Sequence, residues 1–92
     1  MQQNYSLYIC KGAFETATKQ QIRAKDFDKV IAQLQHDPTE SGSKDITRLQ
    51  GALKGNFRYT IKKKVRLMHR IDEASKTVSI LRVGARENFY KG

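Results

Sequence analysis

This chain is poor in acids, in cysteine and in proline, and each shortage excludes something. One cysteine, Cys10, cannot form an internal disulfide, which fits a reducing compartment and a cytoplasmic protein. Cys10 ends an apolar stretch and reads as a small hydrophobe rather than a nucleophile. No apolar run approaches the ~20 residues that a membrane span needs, so no membrane partner is expected. The N-terminus lacks a basic segment followed by an apolar one, so no signal peptide is expected. His36, His69 and Cys10 show no metal-ligand spacing, and neither a metal nor a cofactor is implied. There is no internal repeat and no low-complexity tract.

What is present suffices for one small domain, residues 1–92. Hydrophobic residues make up 38% of the 92, enough to fold one core, and the charges are interspersed rather than blocked. Tyr5–Cys10 reads as a short strand of β-formers, punctuated by Lys11 and Gly12. Ala13 to about Arg23 has helix-forming composition with a weak apolar stripe. Asp26 looks like an N-cap. Behind it Phe27, Val30, Ile31 and Leu34 recur at helical spacing, the best local signal in the chain. The only proline, Pro38, ends this helix, because the residue before proline avoids the α region. The two helices suggest a helical hairpin. Thr39–Lys44 is a loop by composition. Asp45–Leu53 is less defined, with Ile46 and Leu49 pinning it to the core; a connection this long is often functional.

After Gly55 the period changes to 2. Phe57, Tyr59 and Ile61 alternate with Arg58, Thr60 and Lys62. Val65, Leu67, His69 and Ile71 alternate with Arg66, Met68 and Arg70. This pattern predicts a hairpin with one apolar and one basic face, turning at Lys63 and Lys64. Asp72–Lys76 is the next turn. Thr77–Val83 is a third strand, ended by Gly84. Its apolar residues Val78, Ile80, Leu81 and Val83 do not alternate cleanly, as expected of a central strand buried on both faces. The fold class is α+β: an N-terminal strand and a helical hairpin packed on one face of a mainly antiparallel sheet of about four strands.

Charge follows the same division. Residues 54–92 hold 11 Lys and Arg against 3 acids, whereas residues 1–53 hold 7 against 6. The surplus therefore falls on the strand region, and its outer face presents Arg58, Lys62, Arg66 and Arg70, with Arg82 and Arg86 nearby. Singly, each is an ordinary solvated position. As a set they favour a polyanion, because arginine binds phosphate bidentately. RNA cleavage would also need a proton acceptor, and with no acid on the patch none is obvious. His69 falls on the apolar face and reads as a core histidine. Tyr90 is either a proton donor or stacking ring, or a terminal tyrosine packed on the sheet. From the residues alone this is a basic binding domain with catalysis open.

The order of several short motifs adds to this. Asp37-Pro38, Arg48-Leu49, Leu53-Lys54-Gly55, Phe57-Arg58, Val65-Arg66-Leu67-Met68, Arg70-Ile71-Asp72, Val78-Ser79-Ile80-Leu81-Arg82-Val83-Gly84-Ala85-Arg86 and Tyr90-Lys91 resemble the RelE/ParE superfamily of bacterial and archaeal toxins. The resemblance covers the chain from about residue 14. It implies a toxin–antitoxin module whose partner is a small acidic, RelB-like antitoxin. Operator DNA would be bound only through that antitoxin. The RelE branch cuts mRNA in the ribosomal A site, without metal, leaving a 2′,3′-cyclic phosphate. The ParE branch shares the fold and targets DNA gyrase.

Carried over by position, the resemblance implies that Arg58, Lys62, Arg66, Arg86 and Tyr90 form the catalytic set. Lys54, Lys63, Lys64, Arg70 and Arg82 would be RNA-binding. Arg58 stands where RelE has its first catalytic lysine and Thr60 where it has its second, with Lys62 one pleat further on. Retention of Arg58, Arg66, Arg86 and Tyr90 favours a ribosome-dependent endoribonuclease that inhibits translation. The alternatives are a non-enzymatic gyrase inhibitor and a plain RNA-binding domain.

Overall fold

The computed structural model describes residues 4–13, 24–61 and 65–85. Five strands form one sheet: β1 (Ser6–Ile9), β2 (Ile46–Arg48), β3 (Asn56–Ile61), β4 (Val65–Asp72) and β5 (Thr77–Ala85), in the order β1-β5-β4-β3-β2. One helix, α1 (Ala24–His36), is described in full, followed by a 3-10 turn at Gly51–Leu53. The α+β class is as expected, but the sheet has five strands and is mixed. β1 runs parallel to β5, while β2, β3, β4 and β5 pair antiparallel in succession. The fifth strand is β2, in the stretch that has no clear pattern in the sequence. The first helix of the expected hairpin is helical over residues 11–13, and the rest of it, residues 14–23, lies outside the described residues.

The apolar spacing of α1 works as read. Val30 and Leu34 are buried, and Phe27 and Ile31 are half-buried on either side. The buried pair joins Ile46, Phe57, Tyr59, Ile61, Leu67, Val78, Ile80 and Val83 from the inner sheet face, with Leu7 and Ile9 packed alongside. Each such side chain stabilises the fold by about 1.5–3 kcal/mol when taken out of water. Asp26 is not an N-cap: it lies inside the first helical turn, where its charge still interacts favourably with the positive end of the helix dipole. Cys10 is half-buried against the core, as a small hydrophobe should be.

The helix C-terminus is closed by the N-terminal segment. Asn4 Nδ2 donates to His36 O at 2.8 Å, and the Asn4 and Tyr5 amides both donate to Gln35 O. These donors satisfy carbonyls that a helix end otherwise leaves open. Beyond His36, the Thr39 amide and hydroxyl donate to Asp37 Oδ1 at 3.0 and 2.6 Å, and these bonds hold the Asp37 carboxyl below its ordinary pKa. Gly42 packs into this turn. A Cβ there would lie 2.5–2.7 Å from Gln33 Nε2, Asp37 O and Asp37 Cβ, so only glycine fits.

β5 passes through Gly84 to Ala85 instead of ending there. Its broken alternation comes from a β-bulge. Met68 faces Arg82 and His69 faces Ile80, leaving Leu81 as an extra residue on β5. The bulge keeps Val78, Ile80 and Val83 together on the inner face. Leu81 turns to the outer face, where it packs against Leu49 and Met68.

Candidate nucleic-acid interface

The outer face is assembled by register. Across β3 and β4, Asn56 faces Arg70, Arg58 faces Met68 and Thr60 faces Arg66. Across β4 and β5, Arg66 faces Gly84, Met68 faces Arg82 and Arg70 faces Ser79. Neighbouring strands lie about 4.8 Å apart, so Arg58, Arg66, Arg70 and Arg82 share one patch. The bulge is what brings Arg82 there together with Ser79. With unbroken alternation they would fall on opposite faces.

Arg66 is half-buried, and its Nη1 donates to Thr60 Oγ1 at 3.3 Å. Arg70 is exposed, and its Nε donates to Asn56 Oδ1 at 3.4 Å. Both guanidiniums thus lean on neutral oxygens and keep their full positive charge toward solvent. The ion pairs Arg48–Glu40 and Lys76–Glu73 lie away from the patch. Among the described residues two acids border it: exposed Asp72 ends β4 two residues beyond Arg70 on the same face, and the Asp45 carbonyl accepts the Thr60 amide at 3.0 Å, which puts an exposed aspartate beside Thr60. The expectation of a patch without acids is corrected to that extent. β2 brings Asp45 in, through a strand pairing that has no signature in the sequence.

The patch is also not purely polar. Leu49 and Met68 are buried on it, and Leu53 and Leu81 pack against them. Leu49 does not join the main core, as its sequence context suggests; it lies over the outer face instead. The signal available in the sequence is Leu81, the apolar residue that breaks alternation on β5. Lys54, exposed, follows the 3-10 turn that carries Leu53. Gly51 and Gly55, at φ +67° and +99°, make the turns on either side of Lys54.

His69 stays out of this site. It is fully buried on the inner face, stacked on Phe57, with Nε2 donating to Pro38 O at 2.8 Å. Burial pushes its pKa below the usual histidine value and keeps it neutral. Lys62, Lys63, Lys64, Arg86 and Tyr90 lie outside the described residues. Among the described residues, no cluster of His, Cys, Asp or Glu is suited to a metal ion, and no helix is long and apolar enough to cross a membrane. What the arrangement can do is hold a phosphate backbone across β3, β4 and β5. Its guanidiniums can donate bidentately to phosphate and lie beside a small apolar island.

Comparison with known proteins agrees with this fold. The family description "ParE-like toxin of type II bacterial toxin-antitoxin system" matches residues 11–92. No curated protein matches. Among solved structures, the toxin–antitoxin complex RelBE2 from Mycobacterium tuberculosis contains a chain 25% identical to this one. That match covers 90% of this chain and 99% of the other, with a TM-score of 0.67. The archaeal RelE–RelB complex from Pyrococcus horikoshii OT3 is similar at 21% identity, 90% and 96% coverage and a TM-score of 0.72. A metal-bound toxin from Helicobacter pylori is similar at 17% identity, 94% and 99% coverage and a TM-score of 0.73. The last two show the likeness of fold.

Proposed function

The chain belongs to the ParE-like toxins of type II bacterial toxin–antitoxin systems, and we propose that it acts there as a metal-independent endoribonuclease that cuts mRNA on the ribosome. The observation that carries this reading is Arg66 braced on Thr60, with Arg58, Arg70 and Arg82 on the same sheet face. Positioned arginines are what the charge of a phosphorane calls for.

In the cleavage, the ribose 2′-oxygen attacks the adjacent phosphorus and the bond from phosphorus to the 5′-oxygen breaks. The products are a 2′,3′-cyclic phosphate and a 5′-hydroxyl. The proton lost from the 2′-hydroxyl is replaced by one delivered to the leaving oxygen. Arg66 and Arg86 stabilise the charge that builds on the phosphorane. Arg58 holds phosphate but does not accept a proton, because guanidinium does not deprotonate. Proton transfer falls to Lys62 and Tyr90. Lys54, Lys63, Lys64, Arg70 and Arg82 extend the RNA track. The antitoxin partner is a small acidic protein that neutralises this face; the complexes formed by the M. tuberculosis and P. horikoshii relatives support it.

A second reading, inhibition of gyrase without catalysis, has one observation in its favour: a threonine, not a cation, stands at position 60 beside Arg66. Primer extension on a translated message separates the two. New 5′ ends within A-site codons, lost in Arg66→Ala and Arg86→Ala while antitoxin binding persists, establish the nuclease. Inhibited supercoiling with no such ends establishes the inhibitor.

A further inference from the structure

Among the described residues one large apolar side chain is exposed: Tyr8, at 60%. A single exposed aromatic needs no explanation by itself. Its position supplies one. β1 alternates, with Leu7 and Ile9 packed on the core, so Tyr8 stands on the outer face. It faces Ser79 on β5, and Ser79 faces Arg70 on β4. Tyr8 and Arg70 are therefore two strand spacings apart, about 10 Å, with the short Ser79 side chain between them. β1 is the edge strand, so no further strand of the described sheet crowds the ring from the other side. The register thus sets a ring, a small hydroxyl side chain and a guanidinium in one row across three strands, a trough for a ligand between ring and guanidinium.

We propose that Tyr8 is a base-stacking residue: an unpaired RNA base lies on its ring while Arg70 holds a neighbouring phosphate. The proposal rests on the outer face being the RNA site. Three features support RNA as the occupant. The charge across the trough is the Arg70 guanidinium, and the acid two residues further on the same strand face, Asp72, has its carboxylate turned to the Ala74 and Ser75 amides. The ring is accessible without unfolding anything. Tyrosine offers its face with few rotatable bonds to immobilise. Unpaired bases are recognised by such stacking, whereas phosphate alone gains nothing from an aromatic ring.

The chain has no tryptophan, so Tyr8→Trp in the full-length protein places a single indole fluorophore at the site. The probes are a single-stranded RNA hexanucleotide and inorganic polyphosphate. The expected result is that RNA quenches the indole emission and polyphosphate does not. Tyr8→Ala should weaken RNA binding about tenfold or more, Tyr8→Phe should stay within about twofold, and neither should change polyphosphate binding. If Tyr8→Ala binds RNA as the parent does while Arg66→Ala and Arg70→Ala lose affinity, the stacking role is wrong and the RNA site stands. Should all three keep parental affinity, the RNA reading falls as well. Equal quenching by polyphosphate also overturns the stacking role.

Discussion

His69 and Phe57 lie nearly parallel, with ring centroids 5.3 Å apart and planes 14° from each other. Arg48 covers Phe57 at 4.8 Å, and a bidentate bond to Glu40 holds Arg48 in place. His69 Nε2 donates to Pro38 O, so this row across β2, β3 and β4 ties the sheet to the loop after α1. His69 is a core fastener, and its Nδ1 has no partner among the described residues. Its burial predicts how stability depends on pH. The folded-state pKa is lowered, so the unfolded chain takes up a proton first as pH falls. The contribution is complete well above about pH 6.5 and declines as pH drops below that value. Urea midpoints should fall between pH 7.5 and pH 5.5, about one unit either side of that value, and His69→Gln should flatten the slope. An unchanged slope in the variant would assign the effect elsewhere. His69→Ala should cost about 2–4 kcal/mol at neutral pH.

Gly42 predicts a backbone effect that no apolar contact explains. Two of the three atoms that would crowd a new Cβ belong to Asp37, one of them its backbone carbonyl oxygen, so they cannot easily withdraw. Gly42→Ala should destabilise the protein by about 1–3 kcal/mol by forcing the Asp37 turn open. Gly12→Ala, which meets nothing within 4 Å, should be close to neutral. Thermal melts of the pair measure the difference.

Deleting Leu81 removes the extra residue of the bulge. Regular alternation then still places Val78, Ile80 and Val83 inside and Arg82 outside. The variant should fold with the same faces and lose about 1.5–3 kcal/mol from the uncovered Met68 cluster. Loss of the folded state, seen by circular dichroism, would show that the bulge sets more than the faces.

The braced arginines predict a salt signature. Each phosphate contact removed should reduce the slope of log affinity against log salt by about 0.7 on single-stranded RNA. Arg66→Ala and Arg70→Ala should each do so, and Arg48→Ala should not, because Arg48 is committed to Glu40 on the other side of the sheet. Titrations at several salt concentrations test this directly. Equal slopes in all three variants would remove the outer face from RNA binding.

Much of the fold is legible in the sequence because its signals are local. The spacing of Phe27, Val30, Ile31 and Leu34 defines the buried side of α1, and Pro38 defines its end. Alternation from Phe57 to Ile71 assigns the residues of β3 and β4 to their faces, including His69 inside and Arg66 outside. Asp26 reads as a cap because an aspartate in the first turn and one at the cap leave the same sequence signal. Leu49 reads as a core residue because an isolated leucine does not say which of two apolar surfaces it covers.

The sequence by itself therefore determined the helix, the two-faced strands and the concentration of charge on one face. Local periodicity carries that information, and it is the same in any arrangement that buries the apolar side. The tertiary structure alone decided that β1 enters parallel beside β5, that Ile46–Arg48 adds a fifth strand, and that Leu81 bulges outward. Those choices rest on backbone hydrogen bonds between distant segments, which any side chain but proline allows and which leave no periodic trace. They are also the choices that bring Tyr8, Arg82 and Asp45 to the basic face.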